Sequence, residues 1–255
     1  MTLPATETAA PQAAPPAAVR PAPLASRIVD TFFEPTKVFA QFREGPAPWL
    51  GPVLACAAVL VLLTALRPLF ISNDQVVDFA LQKMQEMGAR QLPTRDQMGT
   101  QLMIQTVFGT AFFIGWMFLR VWVYGLLLMA VYSLVLGGRN DVRPYAAVAS
   151  HAFLVGALGF LLLGALQYAT GRLDLTLDAA LLVPGLDPGG VPAAVLHAIT
   201  PWSVWQVCLL ALGAATINRR KGWMGVAAFL FSLQLGLALV FSLIAHLAMG
   251  RGGAG

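Results

Sequence analysis

Five long stretches of almost unbroken apolar residues dominate the chain, at 49–66, 102–136, 145–169, 201–217 and 223–249, and the segments between them are polar or short. A helix rises about 1.5 Å per residue, so a hydrocarbon core of about 30 Å takes about 20 residues to cross. The pattern predicts an all-α polytopic membrane protein with five transmembrane helices. The first stretch is slightly short and is extended by Leu69, Phe70 and Ile71 beyond an Arg67-Pro68 break. The second is longer than one crossing needs. No turn signal divides it, so the span is placed at 115–136 and 102–110 is read as a helical approach to the membrane.

Ahead of these stretches, residues 1–25 are mostly Ala, Pro, Thr and Gln and predict a disordered tail. No basic segment precedes an apolar run there, so no signal peptide is expected. Residues 26–44 differ. Phe32, Phe33, Phe39 and Phe42 recur with Val38 around Pro35, among Arg27, Lys37 and Arg43. Pro35 suits a helix start, where its missing N–H costs nothing. An aromatic face beside basic residues predicts an amphipathic helix lying in the headgroup region, the alternative being a helix packed on the rest of the protein. Residues 26–249 are read as one membrane domain and 250–255 as a short Gly-rich tail. Between spans, 73–87 predicts a helix with Val77, Leu81 and Met84 on one face and Gly88 as its stop. The 171–200 segment is irregular around PGLDPGG, with 175–183 apolar enough to touch the membrane. The 218–222 link is so short that the last two spans form an antiparallel hairpin. No internal repeat is visible, which weighs against an inverted-repeat transporter.

Composition agrees. Hydrophobic residues make up 58% and charged residues 11%, with a mean hydropathy of +0.72; a soluble domain carries roughly 25% charge. Cys56 and Cys208 both sit in apolar runs, which excludes a disulfide scaffold and a thiolate metal cluster. The 139–143 and 219–221 loops are basic, whereas 171–200 sets Arg172 against Asp174, Asp178 and Asp187. The charge asymmetry predicts a cytoplasmic N-terminus and an external C-terminus. Aromatic residues fall at both rims, Trp49, Tyr132, Tyr145 and Trp223 on one and Trp116, Tyr168 and Trp202 on the other. The preference for arginine over lysine suggests a GC-rich bacterial genome, hence a bacterial inner membrane.

Chemistry is sparse. Arg120 is the one charge well inside an expected span, set about 7.5 Å below the outer surface, where its stem reaches the headgroups; an internal polar contact and a transport role are the alternatives. His151 lies near the inner end of its span and is expected to hydrogen-bond a neighbouring helix. Depth separates it from His197 and His246, so the three cannot share a metal. No acidic residue occurs between Asp96 and Asp141 or after Asp187, which weighs against ion-coupled carriers and acid–base enzymes. No catalytic, cofactor-binding or metal-binding residue is predicted. Small-residue pairs (Ala152 and Gly156, Ala211 and Ala215, Ser232 and Gly236) suit close helix packing within the chain, with a dimer seam as alternative. The Arg219, Arg220, Lys221 cluster has no acid near it in sequence and is expected to meet anionic lipid at about 1 kcal/mol per charge. The basic residues are scattered over loops, so no nucleic-acid partner is expected.

RIVDTFFEPTKVFAQFRE (27–44), PAPWLGPVL (46–54), LGG (136–138) and WSVWQVCLLALGAA (202–215) together resemble the bacterial branch of the Yip1-domain family of five-span membrane proteins. The resemblance implies five helices, a cytoplasmic N-terminus and a C-terminus on the far side. Eukaryotic relatives act in vesicle traffic, contact Rab GTPases and other Yip1-type proteins, and carry an Asp-Leu-Tyr-Gly-Pro-like stretch before the first span. Here that position reads Pro48, Trp49, Leu50, Gly51, Pro52, without the acid, so a small-GTPase partner is not expected. The function expected is non-enzymatic: organising membrane lipids or other membrane proteins, further copies of itself included. The alternative is a small oligomeric channel or carrier lined by Arg120, Gln105, Gln167, Gln206 and Gln234.

Overall fold

A computed structural model describes residues 22–86, 91–187 and 190–251. The expected tail over 1–21, the Gly88 stop and the extreme C-terminus lie outside the described residues. Two short helices open the chain, α1 (Leu24–Phe33) and α2 (Pro35–Gln41), followed by α3 (Leu50–Phe70), α4 (Asn73–Glu86) and the long α5 (Arg95–Ala130). A π-helical turn over Val131–Val135 ends α5; then come α6 (Val142–Thr170), a 3₁₀ turn at Ala179–Leu182, α7 (Val191–His197), α8 (Pro201–Ile217) and α9 (Met224–Arg251). There is no strand among the described residues.

Local chemistry sets most boundaries. Pro35 starts α2, as its position predicts, but α1 is already helical from Leu24, inside the segment expected to be tail. Pro35 has no N–H to continue α1, so the chain breaks at Glu34. Thr94 opens α5 with a reciprocal capping box to Gln97, and Thr200 does the same for α8 with Ser203. Gly171, in the left-handed region at φ 65°, closes α6. The approach and crossing portions read from 102–136 form one helix of 36 residues, about 54 Å. That exceeds a hydrocarbon core, so one end of α5 projects beyond it, where α4 packs beside it and Arg95 pairs with Asp78 at 2.7 Å.

Helices α3, α5, α6 and α9 are each long and apolar enough to cross a bilayer. The fifth crossing depends on α7 and α8, which meet at a bend of 59° and together pass the same test. α8 has 17 residues, about 25 Å, short of the core alone. The protein is therefore an all-α polytopic membrane protein of four to five spans.

The bundle is built around α6, 61% of whose span window is buried, against 17% for α3, 22% for α5 and 6% for α9. Helices α3, α5 and α8 pack on α6, α9 packs on α8 and α7, and α2 packs on α8. Close approach depends on small residues. A Cβ at Gly159 would lie 2.5 Å from the Trp202 ring, and Ala211 and Ala215 are fully buried between helices. Gly156 faces Gln206, whereas Gly236 meets nothing within 4 Å. Two of the three expected small pairs thus pack inside the chain, and the Ser232–Gly236 pair does not.

Candidate functional site

Helices α1 and α2 run antiparallel. The N–H of Ala22, before α1, donates to Gln41 Oε1 at the end of α2 (3.3 Å), while Lys37 bridges Glu34 (2.9 Å) and Asp30 (3.6 Å) near the turn between them. The hydrogen bond to Glu34 holds the Lys37 ammonium above its ordinary pKa. The pair stands along the bundle. At its tip Phe32 meets Trp205 edge-on (5.6 Å), about 18 Å along α8 from Ile217.

This hairpin changes the reading of the four phenylalanines. Phe39 is 0% exposed and Phe42 1% exposed, both in the core against α6 and α8, while Phe33 is 81% exposed and Val29 54%. The single lipid-facing aromatic stripe expected over 32–42 is therefore corrected. The break at Glu34 turns α2 so that its apolar face meets α8, and only the outer edge of α1 faces away.

A polar pair locks the hairpin from beneath. The Arg27 guanidinium, in a residue 6% exposed, donates from Nε to Ala22 O (3.0 Å) and from Nη1 toward Pro48 O (3.4 Å). Nη1 also lies 3.4 Å from His151 Nε2. His151 Nδ1 sits 2.7 Å from Ala147 O, a carbonyl, so Nδ1 carries the proton and Nε2 is left to accept from Arg27. Phe42 covers the imidazole at 4.9 Å. Burial lowers the Arg27 pKa from its ordinary value, although a guanidinium stays charged at neutral pH. His151 does bond across helices, as expected, and its partner is a cation.

The basic loops act largely as clamps on this end of the bundle. Arg43 Nη2 donates to Thr216 O (2.8 Å), Arg139 to Arg43 O, and Arg220 to Leu136 O. Arg219 pairs with Glu44 at 2.5 Å, an acid distant in sequence and adjacent in space, so one charge of the 219–221 cluster expected to meet lipid is held by a carboxylate. Asn218 joins the two loops by donating to Tyr145 Oη (2.9 Å) and accepting from Arg139 N (3.1 Å). Arg143 and Lys221 have no side-chain ion pair among the described residues.

Arg120 packs on aromatic rings of its own helix and of α6. Its guanidinium stacks over Phe153 (5.0 Å) and Tyr124 (5.7 Å), and Phe153 is roughly eight residues, about 12 Å, up α6 from Tyr145. Arg120 thus faces the bundle, the internal contact given as an alternative to snorkelling, and sets its charge against aromatic faces. It borders a cavity of about 140 Å³ with Cys56, Phe113, Phe160 and Gln206. Gln105 and Gln167 line a different cleft, and Gln234 donates to Ala198 O (3.1 Å) at the α7–α8 bend. Of the four glutamines expected as lining, Gln206 shares the Arg120 cavity and the other three lie elsewhere. His197 bonds Asp178 (2.8 Å), and among the described residues no group of three or more His, Cys, Asp or Glu could hold a metal.

The Yip1 domain profile matches residues 29–245. The chain belongs to the Yip1 domain family. This Yip1 chain is also similar to "Membrane protein YknW" of Bacillus subtilis (strain 168), at 28% identity over 227 residues covering 86% of this chain and 90% of that one. No solved structure matches it. The Yip1 match takes in α2, the second half of α1 and the bundle, including Phe39, Phe42 and His151, and begins two residues after Arg27. Sequence reasoning passed over Arg27 as a structural partner. The available signal was an arginine on an amphipathic helix together with a lone histidine in a span that needed a donor.

Proposed function

We propose that this Yip1-domain protein is a non-enzymatic organiser of partner proteins or lipids in a bacterial inner membrane, with its basic end and N-terminus cytoplasmic and its C-terminus outside. One observation carries the reading. The α1–α2 hairpin is fixed on its inner side by Phe39, Phe42 and Arg27 and keeps Val29 and Phe33 outward. A rigid element with exposed apolar side chains is prepared to bind without further ordering cost. Arg143 and Lys221, with no acid paired to them among the described residues, add positive charge at the loop end of the bundle for anionic headgroups. The 28%-identical relative bears a membrane-protein name with no enzymatic term, which fits a non-catalytic role.

The test is photocrosslinking in native membranes from position 33, with Phe33→Ser and Val29→Ser examined for co-purifying neighbours. The double variant is expected to insert at normal levels and to lose its neighbours several-fold. Unchanged recovery would remove the reading. A carrier role draws support from the Arg120 cavity alone, and predicts that Arg120→Leu changes solute flux in proteoliposomes.

A further inference from the structure

At the end of the bundle opposite the basic loops, a cleft of about 430 Å³ opens between α3, α5 and α6, within the roughly 300–1,000 Å³ of small-ligand sites. Its floor is apolar, with Leu63 and Leu163, and Phe113 and Phe160 meet edge to face at 6.0 Å at its inner limit. Its walls carry Arg67, Gln105 and Thr110. No Asp or Glu lines it.

Arg67 is unusual. It occupies the last turn of α3, and its Nε is buried with no hydrogen-bond partner. Among the described residues its guanidinium makes no ion pair. Buried donors of this kind are nearly always satisfied, and each exception calls for an explanation. Much of the remaining polarity is already used: Thr64 and Thr106 donate back to their own helices, Tyr168 donates to Leu63 O, and Gln167 donates to Leu173 O and Leu175 O. Gln105 and Thr110 make no side-chain hydrogen bond to other described residues. Two unused donors, Gln105 and Thr110, therefore share an apolar-floored cleft with Arg67, a cation with no counter-charge among the described residues. Leu62, Phe108 and Phe112 are exposed on the adjoining helix surfaces, so the cleft borders the acyl region.

We infer that this cleft binds the phosphate of an anionic membrane lipid, with Arg67 as the anchoring cation, Gln105 and Thr110 as further donors, and the acyl chains along α3 and α5. A planar guanidinium gives a phosphate two parallel hydrogen bonds. Lipid supplies both halves of what the cleft offers, an oxyanion and a greasy tail. Arg120 lies beyond the Phe113–Phe160 pair and takes no part. The cleft is lined by α3, α5 and α6 and shares no residue with the hairpin, so it stands or falls independently of the proposed function.

The experiment uses the full chain, delipidated in detergent and observed by native mass spectrometry. Phosphatidylglycerol, diacylglycerol with the same chains and soluble glycerol 3-phosphate are added in turn. Wild type is expected to retain phosphatidylglycerol, to retain diacylglycerol weakly and to ignore glycerol 3-phosphate. Arg67→Gln is expected to lower phosphatidylglycerol retention about tenfold, with Arg67→Lys intermediate and Arg120→Gln unchanged. Should Arg67→Gln fold poorly, Thr110→Leu, which narrows the cleft with an apolar side chain, should give the same loss. Equal retention of diacylglycerol, competition by glycerol 3-phosphate as strong as that of the lipid, or full retention by both Arg67→Gln and Thr110→Leu would each overturn the assignment.

Discussion

Two phenylalanines six positions apart have opposite fates, Phe33 at 81% exposed and Phe39 at 0%. Truncating a buried Phe costs about 3–5 kcal/mol because a cavity remains, whereas a surface change stays within about 0.5 kcal/mol. Phe39→Ala is therefore expected to lower the thermal unfolding midpoint in detergent strongly, and Phe33→Ala to leave it unmoved. The sequence could not separate them, since both belong to one apolar pattern; what separates them is the break at Glu34. The Arg27–His151 pair follows a similar logic. His151→Leu leaves a buried guanidinium N–H without its acceptor, at a cost of about 1–3 kcal/mol. Arg27→Leu combined with His151→Leu should recover part of that loss, and a double-mutant cycle on melting midpoints measures the coupling. Periodicity cannot reveal a partner 124 residues away, although the lone histidine announced that it needed one.

Among the helices, apolar run length made the long elements legible and capping chemistry made several starts legible. Pro35 opens α2 and Pro201 follows the Thr200 cap. Two features were hidden. The π turn at Val131–Val135 shifts the helical register without any change in composition. The bend between α7 and α8 leaves no mark in composition, and beside it Trp202 in the first turn of α8 seats on α6 at Gly159. Gly159→Ala would push a methyl to 2.5 Å from the Trp202 ring. Overpacking of this kind typically costs about 1–3 kcal/mol, and it should appear as a lower melting midpoint with blue-shifted or broadened tryptophan emission. On the loop after α6, Arg172 donates twice to Asp174 (3.1 and 2.8 Å) and holds that carboxyl below its ordinary pKa. The contribution is therefore complete at neutral pH and fades as pH falls through the lowered value. Both partners are solvated, so Arg172→Ala is expected to leave the melting midpoint at neutral pH almost unchanged.

For the molecule as a whole, the sum of the parts settles less than the arrangement does. Four or five crossings follow from the same helices according to whether α7 and α8 act as one bent span. Five crossings put the chain ends on opposite sides, and four put them on the same side. Reporter fusions at residues 22 and 247 are expected to report opposite sides, in line with the basic 139–143 and 219–221 loops; the same side would mean that α8 does not cross. The sequence shows that α6 is apolar but not that it is central, because a buried helix and a lipid-facing helix read alike. The central position of α6 has a further result for how the molecule is made. A ribosome delivers α1 and α2 ahead of their seat, which comprises His151 on α6 and Thr216 at the end of α8, up to 173 residues later in the chain. These two helices thus emerge well before they can find their place, and nascent chains arrested before residue 201 should leave the 22–44 segment open to protease while the finished protein shields it.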